Sequence, residues 1–358
     1  MKSIARLALT PGMELAEDVL DKNGVVVVPA HTKVDYSVIS RLERYQIVVV
    51  SVMESVDYAT THFEKVRLSD GFIAFEKNYN EMFIYYKTMM NDLIENHAPV
   101  SPEALLELCH SITDPVGTPK QLLDYLYHML PNEDDLTYAH CLNSALIACV
   151  FGTWLAMKKE EINMLVLCAF FYDIGKLKLP TSILWKPDRL TDMEFEIVKT
   201  HPMLGYEMVK DHPDLDPHII KCILQHHERC DGRGYPSKLK MDQIDFYAKH
   251  ISIIDAYEAM TSARVYRPSL TPLQVVDRFE QTGMLQYDYN ILRPILKRIA
   301  DSQIGTDVRL SDDSIWEIFF FNQVRLARPM LRRLIPGTQK YEFLDLMQRT
   351  DLEITTIY

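Results

Sequence analysis

Glycine and cysteine are scarce in this sequence, and each scarcity excludes something. Twelve glycines in 358 residues leave no room for a collagen-like or low-complexity chain, and no internal repeat is present. The six cysteines (Cys109, Cys141, Cys149, Cys168, Cys222, Cys230) form no C-x-x-C pair, which rules out a small disulfide-stapled scaffold and fits a reduced, cytoplasmic setting. Positive charge is also in deficit: 38 Lys and Arg against 50 Asp and Glu give a net charge of -12. That balance argues against a broad surface for a nucleic-acid polymer, while leaving room for a local cationic pocket around a small phosphate ligand. The longest apolar run, residues 162–172 interrupted by Asn163, falls short of the roughly 20 residues a membrane span needs. The first residues carry too short an apolar run for a secretion signal. What remains is 47% hydrophobic and 25% charged, enough to bury sizeable cores, and the length exceeds what one core usually supports.

The organisation changes along the chain. Residues 1–57 carry β-branched runs at 25–28 and 47–52 around a helical stretch at 36–45, the pattern of a small α/β accessory module with no catalytic spacing. From 58 to 300 the periodicity is helical, with caps at Ser101-Pro102-Glu103 and Thr191-Asp192. Within it, residues 58–130 read as a helical linker with apolar faces that could serve a homodimer but are first of all intramolecular core. Residues 301–358 read as a short β-containing tail, with strands at 306–310 and 315–321 and a further run at 324–334. The fold class is therefore mainly α, a helical bundle flanked by two small β-containing regions.

Four histidines and two aspartates stand out in the helical part: His140, Asp173, His201, His226, His227 and Asp255, mostly about 25 to 33 residues apart. One such residue per helix, pointed inward, makes a metal site, because divalent transition ions take imidazole nitrogen and carboxylate oxygen. Any histidine taken alone is more often a satisfied core or surface residue, and His212 and His218, in a loop between helices, read as solvent-facing. Context singles out the others. Asp173 ends an apolar helix just before Gly175 and Lys176, His201 opens His201-Pro202-Met203-Leu204-Gly205, and His226-His227 leads into a Gly/Pro-rich loop.

The string His226-His227-Glu228-Arg229-x-Asp231-Gly232-x-Gly234-Tyr235-Pro236 resembles the signature of the HD-GYP domain, a subgroup of the HD superfamily of metal-dependent phosphohydrolases. His140, Asp173-x-Gly175-Lys176, His201-Pro202-x-x-Gly205, the segment Asp255-Ala256-Tyr257-Glu258-Ala259-Met260-Thr261 and Arg264-x-Tyr266-Arg267-Pro268 support the resemblance in order, over roughly 130–300. It implies an HD-type helical bundle around two divalent ions, iron or manganese, that hydrolyses cyclic di-GMP to the linear dinucleotide pGpG and on to GMP. On this resemblance Asp173 bridges the ions; His201, His226 and His227 hold one, and His140 with Asp255 hold its neighbour. The ions share a bridging hydroxide directed at phosphorus. Lys176 stands by the scissile phosphate, and Arg264 and Arg267 clamp phosphate oxygens. The Gly234-Tyr235-Pro236 loop is a rigid turn closing the pocket, or a docking surface for diguanylate cyclase (GGDEF) domains.

Two departures bear on activity. Tyr172 stands where the family has the histidine of its His-Asp pair; its phenol either packs and hydrogen-bonds, or binds a metal as phenolate, as ferric iron permits. Leu136 stands one helical turn before His140, where three-metal members carry a glutamate, and neither Asp135 nor Glu133 is in register to replace it, which argues against a third metal. The readings in play are an active phosphodiesterase, a catalytically impaired receptor or scaffold for the nucleotide, and a phosphohydrolase for another phosphoester.

Overall fold

A computed structural model of the chain describes residues 2–6, 9, 11–22, 24–53, 66–67, 69–96, 98–129, 136–184, 186, 189–262 and 269–357. The N-terminal segment contains β1 (Lys2–Ala5), β2 (Val19–Leu20), β3 (Val26–Val28), α1 (Tyr36–Arg44) and β4 (Val49–Val52). The β-branched runs form strands because a pleated, half-buried surface suits them. β1 pairs antiparallel with β4, Ile4 opposite Val50, and β2 with β3. Asp35 caps α1 by accepting from the Val38 amide at 2.8 Å. Leu9, Leu15, Val28, Ile39, Leu42 and Val52 give this segment a core of its own.

The helical body opens with α2 (Asp70–Asn96), whose buried residues Phe72, Phe75, Tyr79, Phe83, Tyr86, Met90 and Leu93 recur every three or four positions and so form one stripe. α3 (Pro102–Thr113) is capped by Ser101 with proline at its first position, and α4 (Pro119–His128) by Thr118 in the same way. The apolar faces at 72–83 and 105–108 are therefore core. At the centre lie α5 (Leu136–Trp154) and α6 (Lys159–Phe171), each buried around most of its circumference. α5 is apolar enough over its 19 residues to meet a membrane-span criterion by composition, yet 67% of that stretch is buried inside the fold, as expected of a core helix.

A 3₁₀ turn (Ile174–Lys178) follows α6, then α7 (Thr181–Leu184), α8 (Asp192–Val198), α9 (His201–Val209), α10 (Pro217–Gln225), α11 (Phe246–Thr261), α12 (Pro272–Thr282) and α13 (Tyr289–Asp301). Thr191 and Glu194 form a capping box at the start of α8. The C-terminal region is larger than two strands and a run. β5 (Asp307–Leu310), β6 (Ile315–Phe320), β7 (Met330–Leu334), β8 (Tyr341–Asp345) and β9 (Ile354–Ile357) form an antiparallel sheet in the order β8-β7-β6-β5-β9. The run at 324–334 is strand only from Met330, and β8 and β9 escaped the sequence reading because each is short and lacks a regular apolar alternation. Val308, Leu310, Ile318 and Leu331 point into the same core as the helices.

One backbone contact sets the position of the functional residues. The 3₁₀ turn and α9 touch main chain to main chain at Gly175 and Gly205. A Cβ on Gly175 would overlap the His201 carbonyl and stand 2.5 Å from the Gly205 nitrogen, whereas one on Gly205 would meet the Ile223 side chain at 2.8 Å and the Gly175 nitrogen at 3.1 Å. Backbone cannot move aside as a side-chain methyl can. Gly175→Ala is therefore expected to lower unfolding free energy by about 3 kcal/mol and Gly205→Ala by about 1 kcal/mol, as read from urea denaturation midpoints; equal effects would sink this reading.

Candidate metal centre

Apolar burial carries α6 through the core, and Tyr172, fully buried, closes its last turn. Asp173 follows with its carboxylate wholly buried and Oδ1 without a hydrogen-bond donor. Such a group is costly in isolation. The compensation is charge: Lys176 Nζ lies 2.5 Å from Oδ2. Burial favours the neutral acid, but the Lys176 ammonium, the first of the neighbouring charges, outweighs it and holds Asp173 below the usual carboxylate range.

The imidazoles arrive from three elements. His201 opens α9 and donates from Nδ1 to the Val198 carbonyl at 2.7 Å, which leaves Nε2 facing Asp173 Oδ1 at 3.2 Å. His226 ends α10 with Nδ1 between the Cys222 and Ile223 carbonyls at 3.1 and 3.0 Å, so its Nε2 also points inward, 3.8 Å from the same oxygen. The tautomers follow from these carbonyl partners. Burial drives His201 down to about 3 and lowers His226, so neither ring takes a second proton. Two Nε2 lone pairs consequently face each other 3.1 Å apart beside an ionised carboxylate. His227 adds a third imidazole, and the ligand atoms of His201, His226 and His227 lie within 4.8 Å of one another. Mutually repelling lone pairs around an unsatisfied carboxylate are the donor set of a divalent transition ion, and the residues fit one.

On the opposite side, His140 from α5 turns Nδ1 to Glu258 and Nε2 to Asp255 Oδ1 at 3.0 Å and Asp173 Oδ2 at 3.5 Å. Burial disfavours the imidazolium of His140, but Glu258 and Asp255 overcome it and raise the ring to about 9. Asp255 is pushed well below its ordinary range: burial opposes this, and His140 and His227 more than offset it. Tyr172 belongs to this side too, its hydroxyl 2.6 Å from His140 Nε2 and 2.9 Å from Ser144 Oγ. Burial, then the neighbouring carboxylates Asp255 and Asp173, drive its phenol well above its ordinary value.

The loop after His227 folds back on the centre. Tyr235 stacks on His227 with ring centroids 4.7 Å apart at 26°, and Gly234 lies so close to Glu228 and Arg229 that a Cβ would overlap their backbone. Gly232 takes a φ of +77°, and Asp231 accepts from the Arg233 amide at 3.0 Å. Glu228, buried, accepts from the Ser237 and Leu239 amides at 2.6 and 2.8 Å, which fixes the loop, Pro236 included, over the pocket. The structure thus brings together His140, Tyr172, Asp173, Lys176, His201, His226, His227 and Asp255. Arg264 and Arg267 lie outside the described residues, as do Glu133 and Asp135.

Sequence reasoning missed the supporting polar groups. Glu258 is buried, bonded to His140, and held by Asn143 Nδ2 at 3.0 Å and by Ser262. The available signal was spacing: Glu258 falls three residues after Asp255 and Asn143 three after His140, each pair sharing a helix face. His212 is not solvent-facing, since its side chain is 7% exposed with Nε2 3.2 Å from the Ala98 carbonyl; His218 is 42% exposed but bonds Asp245 at 2.8 Å.

Comparison with known proteins places this centre. Residues 124–291 match the HD domain family. The "Cyclic di-GMP phosphodiesterase PA4108" of Pseudomonas aeruginosa is 31% identical over 211 residues, 59% of this chain and 51% of that protein. The "Cyclic di-GMP phosphodiesterase response regulator RpfG" of Xanthomonas campestris pv. campestris is 31% identical over 153 residues, 42% of this chain and 40% of that one. The chain thus spans about half or less of the length of these curated relatives. Among solved structures, "Bd1817, a HDG"Y"P protein from Bdellovibrio bacteriovorus" aligns with 83% of this chain and 99% of that one, at 13% identity and a TM-score of 0.43. The part of the chain that matches the HD domain, residues 124–291, contains every residue of the candidate centre described above and the loop whose sequence resembles the HD-GYP signature.

Proposed function

We propose that this protein is a metal-dependent phosphodiesterase that opens cyclic di-GMP to linear pGpG, with GMP as a further product. The observation that carries the reading is the pair of proton-free Nε2 atoms of His201 and His226, 3.1 Å apart beside the unsatisfied Asp173 carboxylate. Names borne by the curated relatives supply the substrate class. His201, His226, His227 and Asp173 would hold one ion, iron or manganese, and His140 and Asp255 would share Asp173 with a second. When bound, the ions supply Lewis acidity toward phosphate oxygens and lower the pKa of a water.

The chain's own groups do the rest. Lys176, within reach of the pocket, pairs with a non-bridging phosphate oxygen as negative charge builds on it. Glu258 fixes the orientation of His140, as a carboxylate partner does for a ligating imidazole. Tyr235, stacked on His227, excludes water from one side of the pocket. The exposed rim of its loop, Asp231, Arg233 and Lys238, is the surface available to a diguanylate cyclase-type partner.

A second reading, a receptor that binds the nucleotide without turnover, is favoured by one observation: Tyr172 occupies the inner side of His140.

Protein reconstituted anaerobically with excess Fe²⁺ or Mn²⁺ is expected to convert cyclic di-GMP to pGpG, resolved by chromatography. Asp173→Ala should lower the rate more than about 100-fold, since loss of mere supporting groups already costs 10- to 100-fold. Absence of product from a sample holding two ions per chain would overturn the phosphodiesterase in favour of the receptor, which nucleotide binding by calorimetry would then confirm. Glu258→Gln, which keeps the shape but weakens the carboxylate–imidazole pair, is expected to reduce metal affinity about tenfold with the helical circular dichroism unchanged; undiminished affinity would remove its positioning role.

A further inference from the structure

Resting on the metal-dependent reading above, we propose that the two metal positions are unequal by construction. The position formed by His201, His226, His227 and Asp173 is resident, and the one formed by His140, Asp255 and Asp173 is exchangeable because Tyr172 and Lys176 compete for its donors. The second position then fills only when free metal is plentiful, and turnover follows metal supply.

Four observations converge on the asymmetry. His140 has one nitrogen to give, because Nδ1 is committed to Glu258. The Tyr172 oxygen stands 2.6 Å from the other, Nε2, and is hydrogen-bonded to the nitrogen that an ion would need at a bond length of about 2.0–2.1 Å. The phenol cannot easily turn aside: it is fully buried, its ring lies 5.6 Å from that of His140 and 5.0 Å edge-on from that of His226, and Ser144 Oγ holds its oxygen at 2.9 Å. The shared carboxylate is divided in the same sense. Oδ2, on the side of His140, has the Lys176 ammonium 2.5 Å away, whereas Oδ1 faces His201 Nε2 at 3.2 Å and His226 Nε2 at 3.8 Å. One side of Asp173 thus meets lone pairs waiting for a cation, and the other meets a cation and a hydroxyl already in place. Three imidazoles with no rival stand against one imidazole with a rival bonded to it.

The test is Mn²⁺ binding to the metal-free full chain, with free ion followed by its paramagnetic resonance signal and heats by calorimetry. Wild type is expected to take one ion per chain tightly and a second at least about tenfold more weakly. Tyr172→Phe, which keeps the ring and deletes the rival oxygen, should strengthen the second site about fivefold, the size of one hydrogen bond. Ser144→Ala, which leaves the phenol on His140, should change the ratio less than about twofold. Equal sites in wild type, or a ratio unmoved by Tyr172→Phe, would overturn the proposal. So would a visible charge-transfer band in the ferric-loaded wild type that Tyr172→Phe abolishes, since the phenol would then be a ligand. Equal sites together with cyclic di-GMP turnover would leave the phosphodiesterase standing, whereas no Mn²⁺ binding at all would remove both.

Discussion

Asp173 carries two fully buried oxygens at the end of a core helix, and the surrounding architecture can be read as the means of keeping that carboxylate ionised. Removing a charge from water costs several kcal/mol even after relaxation, so it must be offset by opposite charge at close range. Lys176, one 3₁₀ turn further on, supplies that charge to Oδ2, whereas the Nε2 lone pairs of His201 and His226 face Oδ1 and add none. A bound divalent ion would complete the compensation that these side chains begin.

Placing those groups needs backbones to approach closely. Gly175 and Gly205 let the turn after α6 touch α9, which brings Asp173 to His201. Gly234 does the same for the loop after His227, laying Tyr235 on the imidazole. Carbonyls at the ends of the α8 and α10 segments fix the Nδ1 protons of His201 and His226, so ring orientation is set by main chain that is itself rigid. Precision at the centre is therefore inherited from secondary structure, with Glu258 extending it to His140 through a side chain.

The two halves of the centre differ in chemistry although they share a carboxylate. One is lined by proton-free imidazoles whose mutual repulsion a cation would relieve. The other is already neutralised internally by Glu258, Asp255, Tyr172 and Lys176 acting on His140 and Asp173. Tyr172 and Lys176 are the groups that make the two sides unlike, since each already contacts a donor atom on the His140 side.

Much of this was legible in the order of residues. Helical periodicity, the caps at Ser101 and Thr191, the β-branched runs near the N-terminus and the spacing of His140, Asp173, His201, His226, His227 and Asp255 all follow from local rules, and local rules are what a sequence states directly. The candidate set that the structure brings together was visible because imidazole and carboxylate at one per helix have few other uses in an apolar bundle. The later strands β8 and β9 were not visible, because a short strand is specified by its neighbour's register more than by its own residues. Nor were Glu258 and Asn143 visible as partners of His140, since they are buried polar groups whose role is defined only by what faces them across the core. Above all, the fate of Tyr172 was open. A phenol beside an aspartate can be a ligand, a packing group or a competitor, and its neighbours come only from the meeting of α5 with the end of α6, which sets its buried oxygen against His140 and Ser144 because residues far apart in the chain are packed together there.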